Sequence, residues 1–542
     1  MLLGIDLDNT ILDYDLSFLA AANSLELEFP ESACSKQKIK EFFRSQDNGE
    51  EIWQRLQGLA YGKHVQTHVR LYQGVKRFLW RCQYRGHIVK IISHKTEFGH
   101  FDTEKLSIRK EALYFLNSKG FINENNPLVN EICFKSTKEE KISRICEEPF
   151  DWFIDDLPEV LEGLINTTTK KILFDESGEL FAFTSSKLQQ EVFSLPDWQQ
   201  IDALINGDWT IDEVKNLSVS ILGFKVDAVE RVSNGGNAGV FKLTLSDQRN
   251  FKFKIYPVDK NHDRLKSEFL ASEVISSLKI GRVPLPIAQD VELGIGIYEW
   301  IEGDRLLSAT QEYLDSSWTF LHNLHFPRNS PRFLPASNAS AACFSSEDIK
   351  NQLFKRLDQF QFSRNVYPEL DNFLLSDFFP VFETVLEYTS KKSKSTGLKN
   401  IISKENQTLS PSDFGIHNVI VCKDGSFAYI DFEYFGWDDP VKLISDFSFH
   451  PGTQLSEEQV EYWMDKVVQI YGEDIKVRLN SLRPLIGLIW CLILLNDFRP
   501  EIWQRRILAD ESKIFSKEKT LLSQLCRAKA LLTRIKAMIN FD

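Results

Sequence analysis

Short β-rich runs alternate with helical stretches through the first third of the chain, and that alternation admits a parallel sheet wrapped by helices. Residues 2–7, 87–93 (HIVKIIS), 152–154 and 171–174 (KILF) read as its strands. Between the first two, residues 15 to about 76 are helical in pattern with no strong strand signal, which predicts a small helical cap inserted after the first strand. Residues 195–206 read as a closing helix, so a first domain is expected over 1–208 and a boundary near 208–215.

Beyond the boundary the pattern turns antiparallel. Residues 228–233, 240–246 and 250–256 alternate as strands separated by Asn/Gly-rich and Asp/Asn-rich turns. From Ser308 the chain is mainly helical apart from a hairpin at 419–431, and the polar stretch 391–399 (KKSKSTGLK) is the expected flexible loop. A length of 542 residues suits two large units, the second over 215–542.

Composition narrows the partners. With 64 basic and 77 acidic residues the formal charge is −13, a field that repels nucleic acid and anionic membrane, so phosphate must be held by local devices. The longest apolar run, 484–495, falls short of the roughly 20 residues that span a bilayer and reads as a buried helix. The start MLLGIDLDNT has no basic leader, so a cytoplasmic protein is expected. The eight cysteines are scattered with no C-x-x-C pair and read as reduced core fillers.

Asp6 and Asp8 stand two apart where an apolar run ends, so in an extended segment both carboxylates point to one side. Close carboxylates repel unless a cation or a shared proton compensates, which suits a Mg²⁺ site with one nucleophile and one acid/base. Ser93 ends the second strand, Lys138 opens a helix whose apolar face is Ile142 and Ile145, and Asp155 and Asp156 follow the third strand. In open parallel sheets ligands bind at the strands' carboxyl ends, so these elements converge on one crevice.

This order resembles the haloacid dehalogenase (HAD) superfamily of phosphohydrolases, with D-x-D-x-T as Asp6, Asp8 and Thr10, then Ser93, a lysine and the pair Asp155/Asp156. The resemblance implies that Asp6 attacks phosphorus and Asp8 serves as acid and base. It also implies that Asp6, the backbone carbonyl of Asp8, and Asp155 hold Mg²⁺, with Asp156 in support. Thr10, Ser93 and Lys138 would bind the phosphate, with Lys141 the alternative lysine.

In the second unit, RVSNGGNAGVFKL places Gly235, Gly236 and Gly239 between two strands, where a backbone without side chains can approach a nucleotide's phosphates. The next strand alternates, with Phe251 and Phe253 on one face and Lys252 and Lys254 on the other. One lysine can pair with a helix carboxylate, Glu268 or alternatively Glu273. If Asp424-Gly425 is a two-residue turn in HNVIVCKDGSFAYID, Asn418 lies directly opposite Asp431 and the two can share a Mg²⁺, with Asp413 beside them to accept a proton.

These residues resemble the aminoglycoside-phosphotransferase and choline-kinase group, a branch of the protein-kinase-like fold. The match runs through the glycine loop, Lys254, Glu268, YEWIEG at 298–303 as the interlobe segment, SDFGIHN at 412–418 and IDFEYFGWDDP at 430–440. Pro411 stands where that family often has histidine. Glu433, Trp437, Asp438, Trp490, Asn496 and Asp497 are candidate acceptor-site residues, core packing being the alternative.

The expected architecture is α/β: a HAD-like Rossmannoid parallel sheet with a helical cap, followed by a bilobal α+β kinase-like unit with lobes at about 215–303 and 304–542. The expected function is a bifunctional phosphatase and small-molecule kinase using Mg²⁺ and ATP, acting on a sugar or sugar phosphate in activated-sugar or surface-polysaccharide metabolism. Alternatives are a silent domain sensing ligand for its neighbour, or a polynucleotide-end phosphatase-kinase, which the net charge opposes. A small-molecule partner is expected, and the oligomeric state is left open.

Overall fold

Strand β1 (Leu2–Ile5) carries the apolar start of the chain into the interior, with Leu3, Ile5 and the following Leu7 fully buried. The computed structural model describes residues 1–101, 105–123, 127–232, 239–396, 401–500, 502–503 and 516–540. These residues form two units, Met1–Gly223 with Asp290–Gly294, and Phe224–Gln289 with Ile295–Asp542.

In the first unit β1 leads into the short pair β2 (Leu12–Asp13) and β3 (Arg70–Leu71). Between them stand α1 (Asp15–Ser24), α2 (Lys36–Arg44), α3 (Gly49–Tyr61) and α4 (Val65–His68), so the segment expected as a cap is helical. After α5 (Val75–Tyr84) come β4 (Ile88–His94), α6 (Ile108–Ser118), β5 (Glu131–Lys135), α7 (Lys138–Cys146) and β6 (Trp152–Asp155). Then follow α8 (Pro158–Glu162), β7 (Lys170–Phe174), α9 (Ser186–Glu191), β8 (Val192–Leu195) and α10 (Trp198–Asn206).

Six of these strands form one sheet in the order β5-β4-β1-β6-β7-β8, every pairing parallel. The chain runs from β1 outward through β4 and β5, then crosses to β6 on the other side. The carboxyl end of β1 therefore lies at the topological switch, between the ends of β4 and β6.

Two strands of this sheet escaped the sequence reading. β5 and β8 are the sheet's edges, and edge strands carry weak apolar signals: β5 reads EICFK, with a charge at each end.

The expected boundary is corrected as well. α11 (Ile211–Leu222) belongs to the first unit, because its Glu213 receives the guanidinium groups of Arg81 at 3.1 Å and Arg85 at 2.7 Å. Arg81, almost wholly buried, also donates to Asp202 at 3.0 Å and to the carbonyl of Gly207 at 3.1 Å. Burial alone would raise the Glu213 carboxyl, but the hydrogen bonds from both arginines bring it down to about 2. The unit ends at Gly223, whose φ of +70° closes the helix in a left-handed conformation open to glycine.

The second unit opens with an antiparallel sheet of β9 (Val226–Arg231), β10 (Gly239–Leu245), β11 (Asn250–Ile255), β12 (Pro286–Asp290) and β13 (Ile295–Glu299), in the order β12-β13-β11-β10-β9. α12 (Arg264–Ser277) follows β11 in the chain. β14 (Gly303–Arg305), within the expected interlobe stretch and its sequel, pairs instead with a hairpin strand of the helical part. That part holds β15 (Thr408–Ser410), β16 (Val419–Cys422), β17 (Phe427–Tyr429) and β18 (Gly436–Asp438) among long helices, with Phe447 stacked on Trp463 at 4.0 Å in its core.

The apolar run at 484–495 falls largely within the helix Asp474–Leu494, which is long and apolar enough to cross a membrane; 67% of its most apolar window is buried. Residues 391–396 of the expected loop are helical, and 397–399 lie outside the described residues. The reading of all cysteines as core fillers is corrected: Cys82, Cys343 and Cys491 are buried, whereas Cys34, Cys146 and Cys526 are exposed.

Candidate functional sites

At the switch of the parallel sheet, Asp6 leaves β1 with its N–H donated to the carbonyl of Ile154 at 2.9 Å, which seats it beside the end of β6. Asp155, fully buried, ends β6, and Asp156 follows. One oxygen from each of Asp6, Asp155 and Asp156 lies within 4.8 Å of the others. Hard oxygen donors at that spacing suit Mg²⁺, which takes carboxylates at about 2.1 Å.

The ammonium that balances this cluster is Lys141. Its Nζ stands 2.7 Å from Asp6 Oδ1 and 2.6 Å from Asp155 Oδ2, and its side chain is wholly buried. Lys138 is corrected as the site lysine: it is 36% exposed and 4.0 Å from Glu159. Thr137 caps α7 by accepting from the Glu140 N–H, which places Lys138 at the helix start, while Lys141 lies one turn above the buried Ile145 on the inward stripe.

Burial pushes the Asp155 carboxyl up to about 7 against the pull of Lys141, and burial next to Asp6 and Asp155 pushes Asp156 up as well. Asp8 lines the same cavity as Asp6 and Asp156 and has its own partners: Tyr14 donates its hydroxyl to Oδ1 at 2.8 Å, and Lys95 Nζ stands 2.7 Å from Oδ2. Thr10 is corrected as a phosphate ligand. Its buried hydroxyl approaches Asp156 at 3.5 Å and its carbonyl accepts from the Trp198 indole at 2.8 Å, so it braces the turn.

Ser93 is buried with no hydrogen-bond partner for its hydroxyl among the described residues, and it lines a cavity of about 390 Å³ with Asp6, Asp8, Lys95 and Asp156. A buried hydroxyl without a partner is costly unless a ligand completes it. Lys95 and Tyr14 were missed by the sequence reading. The available signal was strand alternation, which puts Lys95 on the same side as Ser93.

In the second unit Lys254 is buried and its ammonium is the hub of a carboxylate cluster: 2.7 Å from Glu268 Oε2, 2.8 Å from Glu433 Oε2, and paired with Asp431. Burial opposes its charge, but the carboxylates of Asp431, Glu268 and Glu433 raise the ammonium well above its ordinary value. Lys252 shares Glu268 at 2.8 Å, and with both lysines bound the Glu268 carboxyl, which burial would raise, falls to about 2. Tyr256 donates to Glu268 Oε2 at 2.6 Å. Of the glycine loop, Gly239 begins β10, and Gly235 and Gly236 lie outside the described residues.

The hairpin differs from its expected register. Val419 pairs with Tyr429, Ile420 with Ala428 and Val421 with Phe427, so Asn418 faces Ile430, whose N–H donates to the Asn418 carbonyl at 2.9 Å. The cause is a three-residue loop closed by Cys422 and Ser426, with Gly425 in the left-handed region at φ +81°. Asp431 lies one residue past the pairing and is itself left-handed at φ +68°, which turns it out of the strand toward Lys254.

Asp413 is held from three sides. Asn418 Nδ2 donates to its carbonyl at 2.9 Å, His417 Nε2 stands 3.1 Å from its Oδ1, and His450 Nε2 stands 3.5 Å from the same oxygen. The Gly452 N–H donates to His450 Nδ1 at 3.0 Å, so the proton of neutral His450 sits on Nε2, facing Asp413. His417 and His450 stack with ring centroids 4.3 Å apart. These two imidazoles, which the sequence reading passed over, support Asp413 where Pro411 offers no side-chain donor.

Of the other candidates, Asp438 accepts from the Cys343 N–H at 3.0 Å, with burial pushing its carboxyl up to about 7, and Trp490 donates to Asp446 at 2.7 Å. Trp490 also packs edge-on against His450 with ring centroids 5.1 Å apart.

No family model and no curated protein matches the chain. Similar solved structures include choline kinases and phosphotransferases. The choline kinase LicA from Streptococcus pneumoniae is 15% identical over 60% of this chain and 98% of that chain, with a TM-score of 0.37. The spectinomycin phosphotransferase APH(9)-Ia, in complex with ADP and spectinomycin, is 13% identical over 60% and 98%, with a TM-score of 0.41. The ADP-bound aminoglycoside phosphotransferase APH(2'')-Ib is 16% identical over 59% and 98%, with a TM-score of 0.38. Likenesses this distant assign no activity, and the residues themselves have to carry the functional argument.

Proposed function

We propose that the chain is a bifunctional enzyme, a Mg²⁺-dependent phosphomonoester phosphatase in its first unit and an ATP-dependent kinase of a small-molecule alcohol in its second. The observation that carries the reading is that each unit gathers a carboxylate cluster around one buried lysine, Lys141 in one and Lys254 in the other. Sugars and sugar phosphates are the proposed substrates, on the argument that fused activities serve one pathway.

In the first unit Asp6 Oδ attacks phosphorus, an Asp6–phosphorus bond forms as the ester P–O bond breaks, and Asp8 gives its proton to the leaving oxygen. Asp8 then takes a proton from water, whose oxygen displaces Asp6 and releases inorganic phosphate. Ser93 and Lys95, on the cavity wall, stabilise charge on the transferring group, and Lys141 acts from behind Asp6 by holding its carboxylate. Asp6, Asp155 and Asp156 would hold Mg²⁺, which would supply charge neutralisation to the reaction.

In the second unit Asp413 accepts the proton of the attacking hydroxyl while Lys254, oriented by Glu268, binds the phosphates of ATP. Asn418 and Asp431 are the proposed metal ligands.

Incubation with ATP, Mg²⁺ and panels of sugars and sugar phosphates tests both halves. Asp6→Asn should abolish phosphate release and spare phosphoryl transfer, and Asp413→Ala should do the reverse. If neither substitution removes an activity, the assignment is wrong.

A further inference from the structure

The helix α2 brings Lys36 and Lys40, one turn apart, to the wall of the phosphatase cavity. The third lysine of that wall, Lys95, is held by Asp8, and Lys141, buried beneath the cavity's Asp6, is held by Asp6 and Asp155. Lys36 instead donates to a neutral amide, Asn9 Oδ1, at 2.9 Å. The Lys36 backbone N–H donates to Asp15 Oδ1 at 2.7 Å, but neither the Lys36 nor the Lys40 ammonium has an ion pair or a carboxylate hydrogen bond among the described residues. Burial works against the charge on both.

Lys36 feels the carboxylates of Asp156, Asp8, Asp15 and Asp6 without pairing its ammonium to any of them, and Lys40, farther out, feels Glu50 and Glu159, so the pair can still receive an anion through charge-assisted hydrogen bonds, which are the strong ones. Asn9 follows Asp8, so Lys36 sits close to the reacting centre and Lys40 one turn, about 5.4 Å, farther along the helix. That offset matches a second anionic group two or three carbons from the scissile phosphate.

We propose that this cavity selects phosphomonoesters whose leaving group carries a second anion, a carboxylate or phosphate, bound by Lys40 with Lys36 beside it. The proposal rests on the phosphatase reading and names its substrate class. A phosphorylated sugar acid and a sugar bisphosphate both meet it; a neutral sugar phosphate does not.

The test measures inhibition constants against hydrolysis of p-nitrophenyl phosphate by the full-length chain. The probes are glycerol 3-phosphate, 3-phosphoglycerate, which replaces its alcohol with a carboxylate, and 1,3-propanediol bisphosphate. At least one of the latter two should bind about tenfold or more tightly than glycerol 3-phosphate, and the tighter identifies the second anion. Lys40→Met should erase that preference and Lys40→Arg should restore it. Equal binding of all three probes, or a preference untouched by Lys40→Met, overturns the proposal while leaving the phosphatase. Hydrolysis that is absent, or that survives Asp6→Asn, overturns the phosphatase reading and the proposal with it.

Discussion

Lys141 Nζ lies 2.7 Å from Asp6 Oδ1, joining two residues that stand 135 positions apart in the chain. The pair is closed to solvent and Asp155 completes it. Removing one member of such a buried set leaves charge without a partner.

Lys141→Met should therefore abolish phosphate release and destabilise the first unit by about 3–5 kcal/mol. Lys138→Met, three residues away on the exposed side, should stay within about 0.5 kcal/mol of wild type and keep its activity. Urea denaturation and a phosphate-release assay on both variants decide between the two lysines.

Glu213 ties α11 to the first unit. Its carboxyl is held at about 2, below the roughly 4.3 of an unfolded glutamate, so it contributes stability above the unfolded value that is lost as pH falls through the folded one. Glu213→Ala should cost about 3 kcal/mol at pH 7, the scale for breaking a buried pair. The gap from wild type should close between about pH 4 and 2, as followed by denaturant titration over that range. A gap that stays constant with pH would contradict the assigned ion pairs.

Lys252 and Lys254 share Glu268, yet only Lys254 also reaches Asp431 and Glu433. Lys254→Met should lower ATP-dependent transfer about 100-fold or more, whereas Lys252→Met should lower it less than about tenfold. Steady-state kinetics with varied ATP will show whether the two lysines are distinguished in this way.

His417 and His450 aim Nε2 at the same oxygen of Asp413. Replacing either with alanine should reduce kcat of the kinase about tenfold and leave the KM for ATP near wild type, because orientation of the base is disturbed and nucleotide binding is not. A matched rise in the KM for ATP would mean that the histidines act on the nucleotide instead.

The meeting of Asp6, Ser93 and Asp155 in the first unit's candidate site was legible because they lie at strand ends: each follows or ends an apolar run, and one parallel sheet brings such ends to one edge. The lysine was not, since Lys138 and Lys141 share a helix and only the rotation of α7 against the sheet says which is inside. Lys36 and Lys40 were hidden for a similar reason. A lysine on a cap helix looks like solvated surface until the helix is seen over a cavity.

In the second unit, local alternation marked β10, β11 and the hairpin, but the hairpin's register depended on whether its turn holds two residues or three. The dipeptide Asp424-Gly425 suits both, and Gly425 took the left-handed position of the longer loop. The sequence by itself determined the interior strands β1, β4, β6, β7, β10 and β11 and where the acidic groups fall at the ends of β1 and β6, because period and composition are properties of neighbouring residues; the interior strand β13 was not read from it. Only the tertiary structure decided which lysine meets Asp6, where Asp431 points and where the first unit ends. Those depend on helix rotation, loop closure and ion pairs between residues more than a hundred positions apart, and short-range pattern carries no information about them.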